Sequence, residues 1–154
     1  NIGEFRIPVG VPEIIETGTD VTLVTYGSCV RIAQDAVAQL HDFKISVELI
    51  DVQSLEPFDI HHMITGSLKK TNKIVFFDED VPGGARAYMM QKVLEEQKGF
   101  QYLDAEPRTV TAQAHRAAYG TDGDYFSNPN AEDVFDCIYN MMHDYNPAKY
   151  PKIF

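Results

Sequence analysis

Two segments of this chain share one design. The first is Asp20-Val21-Thr22-Leu23-Val24-Thr25-Tyr26-Gly27-Ser28; the second follows a strand expected from Lys73 to Phe77 and reads Asp78-Glu79-Asp80-Val81-Pro82-Gly83-Gly84-Ala85. In each, a buried-type strand empties into a turn of small residues, after which the apolar period becomes that of a helix. Val21 to Tyr26 is β-branched and apolar on both faces, the pattern of a strand covered by helices on both sides. Strand ends of this kind form the functional edge of an open α/β sheet.

The stretches between them repeat the alternation. Val30, Ala33, Val37 and Leu40 fall on one helical face. A second strand is expected from Ser46 to Val52. Asp59 then caps a short helix with Ile60, Met63, Ile64 and Leu68 on its buried face, and Lys69 and Lys70 suit the negative end of that helix. The longest helix is expected from Gly84 to Gln97, stopped by Gly99. Gln101 to Leu103 and Thr109 to Ala112 are both candidates for a fourth strand. Tyr119 to Phe126 reads as a turn-rich loop, and Asn128-Pro129 as the start of a last helix carrying Val134, Phe135, Ile138, Met141 and Met142. Strand and helix alternating in this way predict a three-layer α/β/α domain with a mostly parallel sheet. Glu13-Ile14-Ile15-Glu16 is a possible antiparallel edge strand. Residues 1–20 read as a linker with that strand, 21–146 as the domain and 147–154 as an extended tail.

Composition narrows the function classes. A 154-residue chain that is 44% hydrophobic suits one domain with its own core. No apolar run is long enough for a membrane helix. Thirteen basic against 23 acidic residues give a formal net charge of −10, which argues against nucleic acid or an anionic membrane as partner and is compatible with a basic protein. The start lacks both a signal-peptide pattern and a Met, so the chain reads as a piece of a longer protein. Cys29 and Cys137 fit no metal spacing and read as small core residues of a reducing compartment.

Candidate chemistry is sparse. The carboxylates of Asp78, Glu79 and Asp80 cluster at a strand end, where they would suit Mg²⁺ or shift one another's pKa; a phosphotransfer receiver would also need a carboxylate at the end of the first strand, where Tyr26-Gly27-Ser28 stands. Gly83-Gly84 suits a phosphate cradle or, better, close packing against another chain. Ser28 or Cys29 at a helix N-terminus is a possible nucleophile, but no histidine is paired with it by spacing. His41, His61, His62 and His143 offer no pattern. His115 follows a strand end and is the histidine nearest a functional edge.

Four stretches carry a family likeness. Ile7-Pro8-Val9-Gly10 through Gly27 resembles the link and first strand of 2-oxo acid dehydrogenase β-subunits. Val47-Glu48-Leu49-Ile50-Asp51-Val52-Gln53-Ser54-Leu55-Glu56-Pro57-Phe58-Asp59 is similar to their V-I-D-L-R-T-L-x-P-x-D stretch. Lys70-Thr71-Asn72-Lys73 through Gly83-Gly84 resembles K-T-x-R … x-E … G-G, and Tyr102 to Val110 resembles L-x-A-P-x-x-R-V. Together they resemble the C-terminal domain of the transketolase superfamily, in particular that of a thiamine-diphosphate-dependent 2-oxo acid dehydrogenase of branched-chain 2-oxoisovalerate or pyruvate type.

The resemblance implies a parent enzyme that decarboxylates a 2-oxo acid with thiamine diphosphate and Mg²⁺, then acylates a lipoyl group. Those cofactors would be bound by preceding domains, leaving none expected here and no catalytic residue. The implied partners are the α part and the pyrimidine-type domain of the dehydrogenase, a second β copy, and the basic binding domain of the dihydrolipoyl acyltransferase. Pro82, Gly83, Gly84 and His115 are the implied subunit-interface residues, and Asp104 and Phe154 the implied docking residues. The compartment would be a bacterial cytoplasm or a mitochondrial matrix. Relatives commonly continue G-x-D-x-P-x-P after Val110, whereas this chain reads Thr111 to Tyr119 without that pattern; this suggests a divergent branch, one with α and β parts fused. Another transketolase-superfamily enzyme, or a free-standing module holding Mg²⁺ through Asp78 and Asp80, are the rival readings.

Overall fold

The computed structural model describes residues 4, 6–116 and 119–153. Five strands form one sheet: β1 (Glu13–Glu16), β2 (Val21–Thr25), β3 (Val47–Asp51), β4 (Ile74–Phe77) and β5 (Arg108–Val110), in the order β1-β3-β2-β4-β5. β1 pairs antiparallel with β3 and every other pair is parallel. The expected edge strand at Glu13 to Glu16 is therefore present, and of the two candidates for the fourth strand the later one forms. Gln101 and Tyr102 belong instead to a short 3₁₀ turn, Gly99–Tyr102.

Strand alternation divides the core. Leu23, Leu49, Val75 and Phe77 face α1 (Cys29–Asp42) and α5 (Ala131–Tyr145). Val24, Ile50, Ile74 and Phe76 face α2 (Met63–Thr71) and α3 (Ala85–Met90), with Ile64, Leu68, Met89 and Val93 as their partners. Two helical layers thus cover the mostly parallel sheet, as strands buried on both faces require.

Several boundaries differ from those read in the sequence. The helix after the Gly83-Gly84 turn changes to π-type over Gln91–Glu96, and left-handed Lys98 ends it before Gly99. At Gly99 a Cβ would lie 2.7 Å from the Val93 carbonyl oxygen, so glycine there serves close packing. Asp59 does receive the Met63 and Ile64 N–H groups at 2.7 and 3.0 Å, capping α2. The helix begins only at Met63, however, and Ile60 is exposed.

Tyr119 to Phe126 is mostly helix, not loop: α4 runs Thr121–Ser127. The last helix starts at Ala131, because Asn130 rather than Asn128 is the cap. Asn130 accepts from Glu132 and Asp133 N–H, and Asp133 accepts from Asn130 N–H, a reciprocal capping box. The tail turns back after α5 and buries Tyr150 against Tyr139, where an extended tail was expected.

Candidate functional site

After β2 the chain moves outward to β3, then returns to the far side of β2 to form β4. The carboxyl ends of β2 and β4 therefore flank a topological switch point, the usual ligand crevice of such sheets. Here that crevice is bridged by side chains. The Tyr26 phenol donates to Asp78 across 2.9 Å, and the Ser28 hydroxyl donates to Glu79 across 2.7 Å. Asp78 is fully buried and also accepts the N–H groups of Asp80 and Arg86, both at 3.2 Å. Burial first, then the bond to Asp78 and neighbouring carboxylates, hold the Tyr26 phenol far above its ordinary range.

The acidic trio consequently points in three directions. Asp78 turns inward, Glu79 meets Ser28, and Asp80 folds onto its own turn, accepting Val81 N–H at 2.7 Å. Among the described residues no group of three His, Cys, Asp or Glu is placed to hold a metal ion. A Mg²⁺–diphosphate group does not fit this edge, whose nearest side chains are acidic and already taken up by local donors. Among the described residues Asp78 and Asp80 are not joined by a third His, Cys, Asp or Glu that would complete a Mg²⁺ site.

Of the two residues considered as a nucleophile, Ser28 is bonded to Glu79 and Cys29 is buried. Cys29 does open α1, but its thiol is buried and pushed up to about 11, by burial and then by the charges of Glu79 and Asp78. Cys137 is also pushed up to about 11 by burial. Both cysteines are free.

Gly83 has φ +100°, a conformation that favours glycine. At Gly84 a Cβ would fall 2.6 Å from an Asp80 carboxylate oxygen, so its own turn already calls for glycine. Pro82, Gly83 and Gly84 lie together at the β4 end of the switch point. His115 stands apart, exposed after β5, stacked on Phe126 with centroids 5.8 Å apart.

Asp104 lies at the opposite end of the sheet. It is ion-paired with Lys73 at 3.0 Å, and the Lys73 ammonium also sits 3.5 Å from the centroid of Tyr145. Lys73 is almost wholly buried although its partner is partly exposed. Phe154, the other residue expected at a docking surface, lies outside the described residues.

The residues missed from sequence are Tyr26, Lys73 and Arg86. Arg86 is buried, and its Nε has no hydrogen-bond partner among the described residues. The signal available for Tyr26 was its place as the first residue past a fully buried strand. Nothing in the spacing marks Lys73 or Arg86.

The chain is 31% identical, over 138 residues, to the pyruvate dehydrogenase E1 component subunit beta of Rhizobium meliloti (strain 1021), covering 89% of this chain and 29% of that protein. It is 38% identical over 108 residues to the acetoin:2,6-dichlorophenolindophenol oxidoreductase subunit beta of Bacillus subtilis (strain 168), covering 70% of this chain and 31% of the relative. The chain thus spans about a third of the length of these curated relatives. Among solved structures, a split-gene transketolase in an inactive β4 tetramer superposes with a TM-score of 0.70 at 21% identity, over 90% of this chain and 43% of that one; it shares the fold. A family model described as the C-terminal domain of transketolase matches residues 10–127. With that match running from the β1 lead-in through α4, the chain belongs to the transketolase C-terminal domain family.

Proposed function

We propose that this chain is the C-terminal assembly domain of the decarboxylating component of a thiamine-diphosphate-dependent 2-oxo acid dehydrogenase, acting on pyruvate or a branched-chain 2-oxo acid. The observation that carries the reading is the 31% identity to a pyruvate dehydrogenase E1 β-subunit across 89% of this chain. The bridged switch point supports it. An edge whose carboxylates are committed to Tyr26, Ser28 and backbone N–H groups suits rigid contact with other subunits better than turnover.

In this reading thiamine diphosphate and Mg²⁺ belong to other parts of the enzyme. Pro82, Gly83, Gly84 and His115 contact the α part, the pyrimidine-type domain or the second β copy. Asp104 and Phe154 receive the basic binding domain of the dihydrolipoyl acyltransferase, a pairing favoured by the chain's net charge of −10. A bacterial cytoplasm or a mitochondrial matrix is the corresponding compartment. Among the described residues no helix is long and apolar enough to cross a membrane.

The 38% identity to the acetoin oxidoreductase β-subunit supports a second reading, in which the parent oxidises acetoin. Expressing the whole parent with its α part and supplying pyruvate, branched-chain 2-oxo acids or acetoin, with 2,6-dichlorophenolindophenol as acceptor, separates the two. Turnover by the parent and none by this chain alone is expected. Turnover by the isolated chain would sink the assembly reading, and a cofactor-saturated parent inactive on every substrate would transfer it to a transketolase-like relative.

A further inference from the structure

A groove of about 740 Å³ runs along the outer side of β5, between α4 and the first turns of α5, at the other end of β5 from Asp104. Asp122, Glu132, Asp133 and Asp136 line it, and no Lys or Arg does. Two of these acids have internal explanations. Asp133 closes the α5 capping box, and Glu132 sits in the first turn of α5, at the positive end of that helix. Asp136 has neither excuse: it lies beyond the first turn of α5 and has no ion-pair partner among the described residues. Partial shielding from water, and then the charges of Asp133 and Glu132, hold its carboxyl above the usual carboxylate range. A cation seated beside it would relieve that repulsion.

A second observation is independent of the acids. Ser127 lines the same groove, is only 4% exposed, and its hydroxyl has no hydrogen-bond partner among the described residues. Buried hydroxyls are normally satisfied, so an unmet one on a groove-lining residue marks a place for a ligand atom. The third element is aromatic: Tyr125 and Phe126, 58% and 70% exposed, stand at the groove's rim. Carboxylates, an unpartnered hydroxyl and exposed aromatic rings, of which Phe126 has one face covered by His115, together match one chemistry, the planar multi-donor guanidinium that stacks on aromatic rings. The space is too large for a single ion and suits several side chains of a peptide.

We propose that the β5–α4–α5 groove docks an arginine-bearing cationic segment of a partner protein, with Asp136 and Ser127 as the polar anchors and Tyr125 and Phe126 as stacking faces. The proposal stands apart from the docking role of Asp104, and either can fail without the other.

The test uses the 154-residue chain and a fluorescein-labelled peptide of alternating Arg and Ala, with Lys–Ala and Glu–Ala peptides as controls. Expected is saturable binding of the Arg peptide, weaker binding of the Lys peptide and none of the Glu peptide, with affinity falling as salt rises. Asp136→Asn should weaken the Arg peptide about 5–10-fold, and Asp104→Asn should leave it unchanged. Amide shifts on the unsubstituted chain keep the result independent of any variant's folding. Perturbations at Ser127, Asn128, Asp136 and Cys137 on adding the Arg peptide support the groove. Perturbations confined elsewhere would overturn it. So would the same shifts produced by Ca²⁺ with none from the peptide, which makes the occupant a metal ion, or by raising chain concentration alone, which makes it a second copy.

Discussion

The Tyr26 phenol lies 2.9 Å from the Asp78 carboxylate, joining the tips of β2 and β4 where strand order reverses. Tyr26→Phe removes the bond while keeping the ring. Asp78 would retain the N–H groups of Asp80 and Arg86, so the expected loss is about 1–2 kcal/mol in urea denaturation. The pH dependence has a definite sign. The folded phenol is raised above its ordinary value of about 10, so the unfolded chain releases its proton first and stability falls as pH rises through 10. Tyr26→Phe should lose that part of the alkaline slope; an unchanged slope would mean that Tyr26 does not carry it.

Cys29 and Cys137 should be poor nucleophiles. With both thiols pushed up to about 11, thiolate is scarce at neutral pH, and Cys29 is 2% exposed. Both should react with an aromatic disulfide reagent far more slowly than a free thiol, and at ordinary rates once the chain is unfolded in guanidinium. Because each folded value exceeds the unfolded one near 9, these thiols also lower stability from about pH 9 to about 11. Rapid labelling of native Cys29 would restore the nucleophile reading.

The layered sheet was legible because β2 and β4 are runs of five and four β-branched or apolar residues, each fully buried, whose faces need no interpretation. The end of α3 was less so: Gly99 looks like a stop signal, yet Lys98 adopts the left-handed turn and Gly99 answers a steric contact with Val93. At α5 two valid signals competed, Asn128 followed by Pro129 and Asn130 followed three residues later by Asp133; the reciprocal cap won. α4 was hidden by its Gly and Asp content, which lowers helix propensity without forbidding a helix. The β5–α4–α5 groove was beyond reach, since Asp122 and Asp136 sit on separate helices that only the folded chain brings together. Lys73 was equally unmarked, a strand-edge lysine in sequence and a buried cation in the fold.

Two glycines should respond oppositely to alanine. At Gly18 a Cβ would fall 2.1 Å from the Val47 carbonyl carbon and 2.3 Å from Glu48 N, backbone atoms of β3 that cannot swing aside. The Gly18 N–H also donates to the buried Glu48 carboxylate at 3.2 Å. Gly18→Ala should therefore destabilise by roughly 3 kcal/mol or more, or prevent folding. Gly66, inside α2, has nothing within 4 Å of its Cβ position. Gly66→Ala should stabilise by about 0.5–1 kcal/mol, as expected from helix propensity. Thermal melts of the two variants check both signs.

The Lys73–Asp104 pair gives Asp104 two jobs that one experiment can separate. Lys73 holds a buried ammonium between the Asp104 carboxylate at 3.0 Å and the Tyr145 ring centroid at 3.5 Å. Because the Asp104 side chain is 38% exposed, water offsets part of its loss, and Asp104→Asn should cost only about 1 kcal/mol. Lys73→Met removes the buried charge and leaves Asp104 free at the surface, which should be near neutral for stability. The same two variants have different consequences for docking. If Asp104 receives the basic acyltransferase domain, that domain competes with Lys73 for the carboxylate. Lys73→Met should then tighten binding several-fold and Asp104→Asn should weaken it, as read by calorimetry on the assembled parent. Equal, unchanged affinity in both variants would leave Asp104 as the surface end of an internal ion pair and remove it from the docking surface.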